Sequence, residues 1–258
     1  MSIRMPAIID SIRHDGAIIE LRLARAPVNA LNPELCRAIA DAVPAAVAAG
    51  AAGIVLSGGP KVFSAGLDVP YLMSLQSPEE VGAAWTEFFA AARALAQSPV
   101  PVAAALAGHA PAGGCVLALC CDYRVMASGG YRIGLNETQV GLVAPEGIQR
   151  LLRRAVGINR AERLLVGGEL VESERALQIG LVDELAEIDE VVVRARAWLE
   201  ALLQLPREPV LRTRAIARAD LLAALEPEHI GLDGFIEAWY APDTQAGLRA
   251  LVERLGKK

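Results

Sequence analysis

Three segments of the chain place chemically useful groups where a strand ends. In Gly108-His109-Ala110-Pro111-Ala112-Gly113-Gly114-Cys115 the glycines run straight into an apolar stretch that reads as a helix. The amides of Gly113 and Gly114 then stand at a helix N-terminus, where N–H groups lack intrahelical acceptors and the dipole favours negative charge. In Val62-Phe63-Ser64-Ala65-Gly66-Leu67-Asp68 small residues surround a central glycine, so the backbone can approach a ligand closely. Two amides from separate loops of this kind can make an oxyanion hole. The third segment, Ile133 to Leu142, holds Glu137 as a single carboxylate in a mostly apolar run, which suits a partly buried base of raised pKa. Each segment has a plainer reading as well. Glycine-rich loops also serve as tight entries to close-packed helices, and a lone loop glutamate is ordinarily solvated.

Other chemistry finds little support. The chain contains no G-x-x-x-x-G-K-[ST], no G-x-S-x-G, no H-E-x-x-H, and no G-x-G-x-x-G after a strand. The cysteines Cys36, Cys115, Cys120 and Cys121 form no C-x-x-C pair and have no histidine at zinc-like spacing, so they read as small buried hydrophobes. His14, His109 and His229 have no nucleophile motif around them and are expected to be structural. The 258 residues are 53% hydrophobic and carry a formal charge of −5, which supports a sizeable core and argues against nucleic-acid binding through a basic field. No apolar run reaches the ~18 residues of a membrane span, and residues 1–6 resemble neither a signal nor a transit peptide. A soluble, cytoplasmic protein is expected.

The elements that must position these groups alternate between strand and helix. Strands are expected at 7–12 and 17–23 around the turn His14-Asp15-Gly16, and at 53–57, 101–107 and 123–126. Asn32-Pro33 opens a helix that Gly50 closes and that Pro44 should kink or divide. Ser77-Pro78-Glu79-Glu80 is a capping box opening a helix to about Ala96, and another helix should run from Gly113 to Cys121. After Pro145 strand signals fade and helical runs continue. The expectation is an α/β body over residues 1–185 with a helical region, 186–258, docked on it without a linker.

Taken together, these segments resemble the crotonase superfamily, the enoyl-CoA hydratase/isomerase family. The resemblance extends from Arg25-Ala26-Pro27-Val28-Asn29-Ala30-Leu31 through both glycine loops to Ala176-Leu177-Gln178-Ile179-Gly180-Leu181-Val182-Asp183. The run from Pro111 to Cys115, then Cys121-Asp122-Tyr123-Arg124, then Ile133 to Gln139, is most like the Δ3,Δ2-enoyl-CoA isomerase branch. The resemblance implies a spiral of ββα units with a C-terminal helical region that builds trimers. It also implies an acyl-CoA thioester substrate, with no metal and no cofactor beyond the coenzyme A of the substrate.

By that resemblance Ser64, Ala65, Gly66, Leu67 and Asp68 bind the thioester, and the Leu67 and Gly113 amides hold its oxygen; the other reading of Asp68 is structural, bonding amides in its own turn. Hydratases of the family use two glutamates, which fall here at Val116 and Glu137. Valine cannot exchange a proton, whereas one carboxylate suffices for a 1,3-proton shift, so an isomerase is expected. Glu146, in Pro145-Glu146-Gly147, is the residue that could supply a second acid and a hydratase activity; a thioester hydrolase or a non-catalytic acyl-CoA-binding subunit are the other readings. Leu67, Leu72, Val116, Trp85 and Phe89 would suit an alkyl chain. Arg25, Lys61, Arg254 and Lys257 are candidates for the CoA phosphates, although the family's Arg-Pro pair is Arg25-Ala26-Pro27 here. The apolar stripes Leu221, Leu222, Leu225 and Ile236, Trp239, Leu248 point to a homotrimer or dimer of trimers.

Overall fold

The computed structural model describes residues 8–256; Ala7, expected to open the first strand, and Lys257, a candidate for the CoA phosphates, lie outside the described residues. The chain begins with β1 (Ile9–His14) and β2 (Ile18–Leu23), an antiparallel pair, then α1 (Pro33–Ala48) and β3 (Gly53–Ser57). Next come α2 (Val69–Ser74), α3 (Pro78–Ala96), β4 (Val102–Leu106), β5 (Ala110–Pro111) and α4 (Gly113–Leu119). They are followed by β6 (Tyr123–Ala127), β7 (Arg132–Gly134), a 3-10 turn at Glu137–Val140, α5 (Glu146–Val156) and α6 (Ile158–Gly167). β8 (Val171–Glu172), α7 (Ser173–Gln178) and β9 (Glu184–Ala186) lead to the helices α8 (Val191–Leu203), α9 (Arg207–Ala217), α10 (Ala219–Ala224), α11 (Pro227–Ile230), α12 (Leu232–Trp239) and α13 (Pro242–Leu255).

Two sheets result. One has the order β1-β2-β3-β4-β6-β9, parallel from β2 onward; the other has the order β5-β7-β8. β4-β5-α4 and β6-β7-α5 each give one strand to each sheet before the chain turns into a helix, which is the expected ββα spiral. β3 and β4 are buried along their whole lengths, as apolar strands covered on both faces must be.

Local chemistry accounts for the long helices. Asn32 Oδ1 accepts from Leu35 N–H at 2.9 Å with Pro33 following, and Ser77 Oγ accepts from Glu80 N–H at 3.2 Å. Pro44 does not divide α1. Ile39, Val43 and Ala46 are buried on both sides of it, against α3, and that packing offsets the lost hydrogen bond. Strand structure also continues past Pro145. β8 and β9 are two and three residues long, too short for alternation to show, yet β9 closes the edge of the large sheet beside β6.

The C-terminal helices dock on the body through a buried ion-pair cluster. Asp122 receives Arg214 Nε at 2.7 Å and Nη2 at 2.9 Å, and Arg218 Nη1 at 3.0 Å. Leu221, Leu225, Trp239 and Leu248 are buried within the chain itself, and Leu222 and Ile236 pack partly buried against the same core. The stripes that read as an assembly surface are thus used internally, because the helices they lie on close the chain's own core. Apolar side chains left partly or fully exposed gather instead along α8, α9 and the turn between them, where Trp198, Leu202, Leu205, Pro209 and Val210 line an open groove. No helix among the described residues is long and apolar enough to cross a membrane.

Candidate active site

The turns of the spiral stack side by side, and this stacking brings the three segments together. Leu31 bridges Leu67, Val62 bridges His109, and Ala110-Pro111 pair with Ile133-Gly134. The Gly66 loop therefore lies against the Gly113 loop, which in turn lies against the strand leading to Glu137. The contacts are close. A Cβ placed on Gly66 would stand 3.1 Å from the Gly113 nitrogen, and one on Gly114 would stand 2.6 Å from Ser64 O. Only glycine permits this approach.

Leu67 is held from its neighbours. Leu31 N–H donates to Gly66 O at 2.8 Å and Asp68 N–H donates to Leu31 O at 3.0 Å, so the Leu67 amide takes part in neither bond of the bridge. Gly113 is the first residue of α4, and its N–H is one of the donors that a helix start leaves free. The residue before it, Ala112, has φ 47° and ψ −118°, a region that costs an L-residue about 1–3 kcal/mol. Its N–H donates to Gly134 O at 2.8 Å, which helps hold the conformation that turns the following peptide. Sequence reasoning missed Ala112, since alanine carries no mark of such a backbone.

Glu137 opens the 3-10 turn after β7. Its Oε2 is buried without a hydrogen-bond partner, and burial pushes its carboxyl up to about 7, against a weaker opposing effect of its own backbone. The carboxylate lies near the first turn of α4: after burial itself, Glu137 is what raises the Cys115 thiol most. Val116 is buried and apolar. Glu146 is in a different situation. It is exposed at the start of α5, its carboxylate accepts from Arg150 at 2.8 Å, and that bond holds its pKa below the usual range.

Several expected contributors have structural work. Ser64 Oγ donates to Asn29 O at 2.8 Å and accepts from Gly66 N–H at 3.2 Å, bracing the loop from beneath. Asp68 caps α2 by accepting from Tyr71 N–H at 3.1 Å, and its other oxygen pairs with Arg25 at 2.7 Å. Arg25 also donates to Ala30 O at 2.7 Å, so it is not a free cation for a phosphate, while Lys61 and Arg254 are exposed. Leu72, Trp85, Phe89 and Val116 are buried in the main core. It is Phe88 Cε2, not Phe89, that would stand 3.2 Å from a Cβ on Gly113. The histidines are structural: His14 pairs with Glu20 at 2.8 Å, His109 Nδ1 accepts from Arg132 N–H at 3.0 Å, and His229 lies 3.1 Å from Arg150. All four cysteines are buried and unpaired, and no cluster of metal-ligating side chains occurs among the described residues.

A carboxylate with a buried, unpartnered oxygen and a raised proton affinity, set near the first turn of α4, suits proton transfer next to a carbonyl. A large cleft of about 410 Å³ lies elsewhere, between α3 and α11–α12, and is lined by Phe89, Arg93, Ile230 and Leu232. It gathers no such set of groups.

Comparison with known proteins agrees with this geometry. The human mitochondrial enoyl-CoA delta isomerase 1 is 34% identical over 206 residues, which cover 79% of this chain and 68% of that protein. A probable enoyl-CoA hydratase of Mycolicibacterium paratuberculosis is 32% identical over 227 residues, covering 84% of this chain and 86% of its own. The crystal structure of human mitochondrial Δ3,Δ2-enoyl-CoA isomerase superposes with a TM-score of 0.92 at 29% identity, over 97% of this chain and 99% of that one. The fold is therefore crotonase-like. The family model described as enoyl-CoA hydratase/isomerase matches residues 13–257, and the chain belongs to the enoyl-CoA hydratase/isomerase family.

Proposed function

We propose that this enzyme is a Δ3,Δ2-enoyl-CoA isomerase, moving the double bond of a 3-enoyl-CoA to the 2-trans position. The observation that carries the reading is the carboxylate of Glu137, whose Oε2 is buried without a partner and whose pKa burial pushes up to about 7, while Val116, the position the family resemblance gives to a second acid, is apolar. The Glu137 carboxylate takes a proton from C2, and the electron pair moves into the thioester to leave an enolate oxygen. The amides of Leu67 and Gly113 stabilise that oxygen. Glu137 then returns the proton to C4 as the double bond re-forms between C2 and C3. One oxyanion donor contributes about 2.7–4 kcal/mol to such a barrier. The route uses no metal and no redox cofactor, and coenzyme A enters as part of the substrate.

Hydration, the activity named for some relatives, would need Glu146 as its second acid. The pairing of Glu146 with Arg150 in an exposed position counts against that role. We also propose a homotrimer or dimer of trimers, supported by the exposed apolar groove on α8–α9; light scattering giving a particle near 27.2 kDa would refute it. The deciding assay for function follows products from 3-enoyl-CoA and 2-enoyl-CoA. Isomerised product without 3-hydroxyacyl-CoA is expected. Hydration as fast as isomerisation would refute the assignment, and silence on both substrates would favour a non-catalytic acyl-CoA-binding subunit.

A further inference from the structure

We propose that α13 is the element that positions Glu137, and that Thr244 is a positioning residue acting through the turn that carries the base; this rests on the reading of Glu137 as that base. The 3-10 turn at Glu137–Val140 has only four residues and no side-chain cap. Short 3-10 segments have poor hydrogen-bond geometry, so the turn needs outside support to hold one conformation. It is gripped from two sides. On one, Thr138 Oγ1 donates to Leu165 O at 3.3 Å, and a Cβ on Gly168 would meet Thr138 Oγ1 at 2.5 Å.

On the other side is α13. Thr244, a buried polar side chain, donates from Oγ1 to Gly141 O at 2.7 Å. Gly141 ends the turn with φ 77°; a Cβ on it would stand 3.0 Å from Thr244 Cα, and one on Gly247 would stand 2.5 Å from Val140 O. Thr244 and Gly247 thus lie on the helix face pressed against the turn. α13 is itself anchored: Leu248 is fully buried, and Gln245 donates to Trp239 O at 2.8 Å. The two ends of the turn therefore cannot move without moving α6 or α13. The Thr244 hydroxyl reaches across 103 residues of sequence to hold Gly141. Leu142 N–H donates to Glu137 O at 3.0 Å, which ties Glu137 to the same clamped end of the turn.

The test is a set of variants assayed for isomerisation of 3-enoyl-CoA and for binding of a saturated acyl-CoA. Thr244→Val keeps the shape and removes the donor. It should lower kcat at least tenfold, in line with the roughly 10²-fold cost of a 1 Å misplacement, with KM and acyl-CoA Kd changed less than threefold. Thr244→Ser should restore kcat to within threefold of the parent. Gly247→Ala, which pushes on Val140 O, should show the same selective loss of kcat, and it decides the matter if Thr244→Val does not fold. Folded Thr244→Val and Gly247→Ala proteins with kcat within twofold of the parent, a loss that serine does not rescue, or an equal rise in KM would each overturn the proposal. Glu137→Gln is the control. If it stays active, the reading of Glu137 as base has failed; if it is inactive while the α13 variants are unaffected, only the positioning role has failed.

Discussion

Replacing Glu137 by glutamine should make the protein more stable at alkaline pH while removing its activity. Burial raises the Glu137 carboxyl from 4.5 to about 7. At about 1.36 kcal/mol per tenfold change in proton affinity, that difference corresponds to about 3 kcal/mol. The sign follows from which state holds the proton more tightly. The folded protein does, so the stabilisation is complete below pH 4.5 and is lost as pH rises through 7. Glutamine does not titrate and is spared that loss. Urea unfolding of parent and Glu137→Gln at about pH 4.5 and pH 8.5 should therefore show the variant gaining about 3 kcal/mol relative to the parent between the two conditions. Isomerisation should fall by about 10²–10⁴, the range of general acid–base catalysis. A stability difference that is the same at both pH values would refute the claim that this carboxylate is buried and unpaired. Retained turnover would refute its role as base.

Because the base must be ionised in the free enzyme, kcat/KM should fall tenfold per pH unit below an apparent pKa near 7, and a limb centred near the ordinary 4.5 would contradict the buried geometry. Val116→Glu should gain measurable formation of 3-hydroxyacyl-CoA from 2-enoyl-CoA; a parent that already hydrates as fast as it isomerises would show that Val116 does not limit the chemistry. Asp122→Ala leaves Arg214 and Arg218 without their carboxylate partner, so it should destabilise the fold by about 3–5 kcal/mol in urea unfolding, and a loss under about 1 kcal/mol would show that the cluster does not hold the C-terminal helices.

Much of the architecture was legible in the linear pattern because its signals are local. Asn32-Pro33 and Ser77-Pro78 start α1 and α3 through contacts within three residues, and the apolar runs of β3 and β4 announce strands covered on both faces. At the two positions where the family resemblance expects acids, the residue types, valine at 116 and glutamate at 137, are likewise read directly from the chain. Tertiary structure decided the rest. β9 is three residues long and exists only because β6 offers it an edge. Pro44 stays within α1 because packing against α3 outweighs a local preference. The strain at Ala112 and the pairing of Asp68 with Arg25 depend on partners far along the chain that sequence spacing does not reveal. The desolvation that raises Glu137 depends on long-range packing too, since a carboxylate's proton affinity follows from the atoms that exclude water from it, and those come from segments far along the chain.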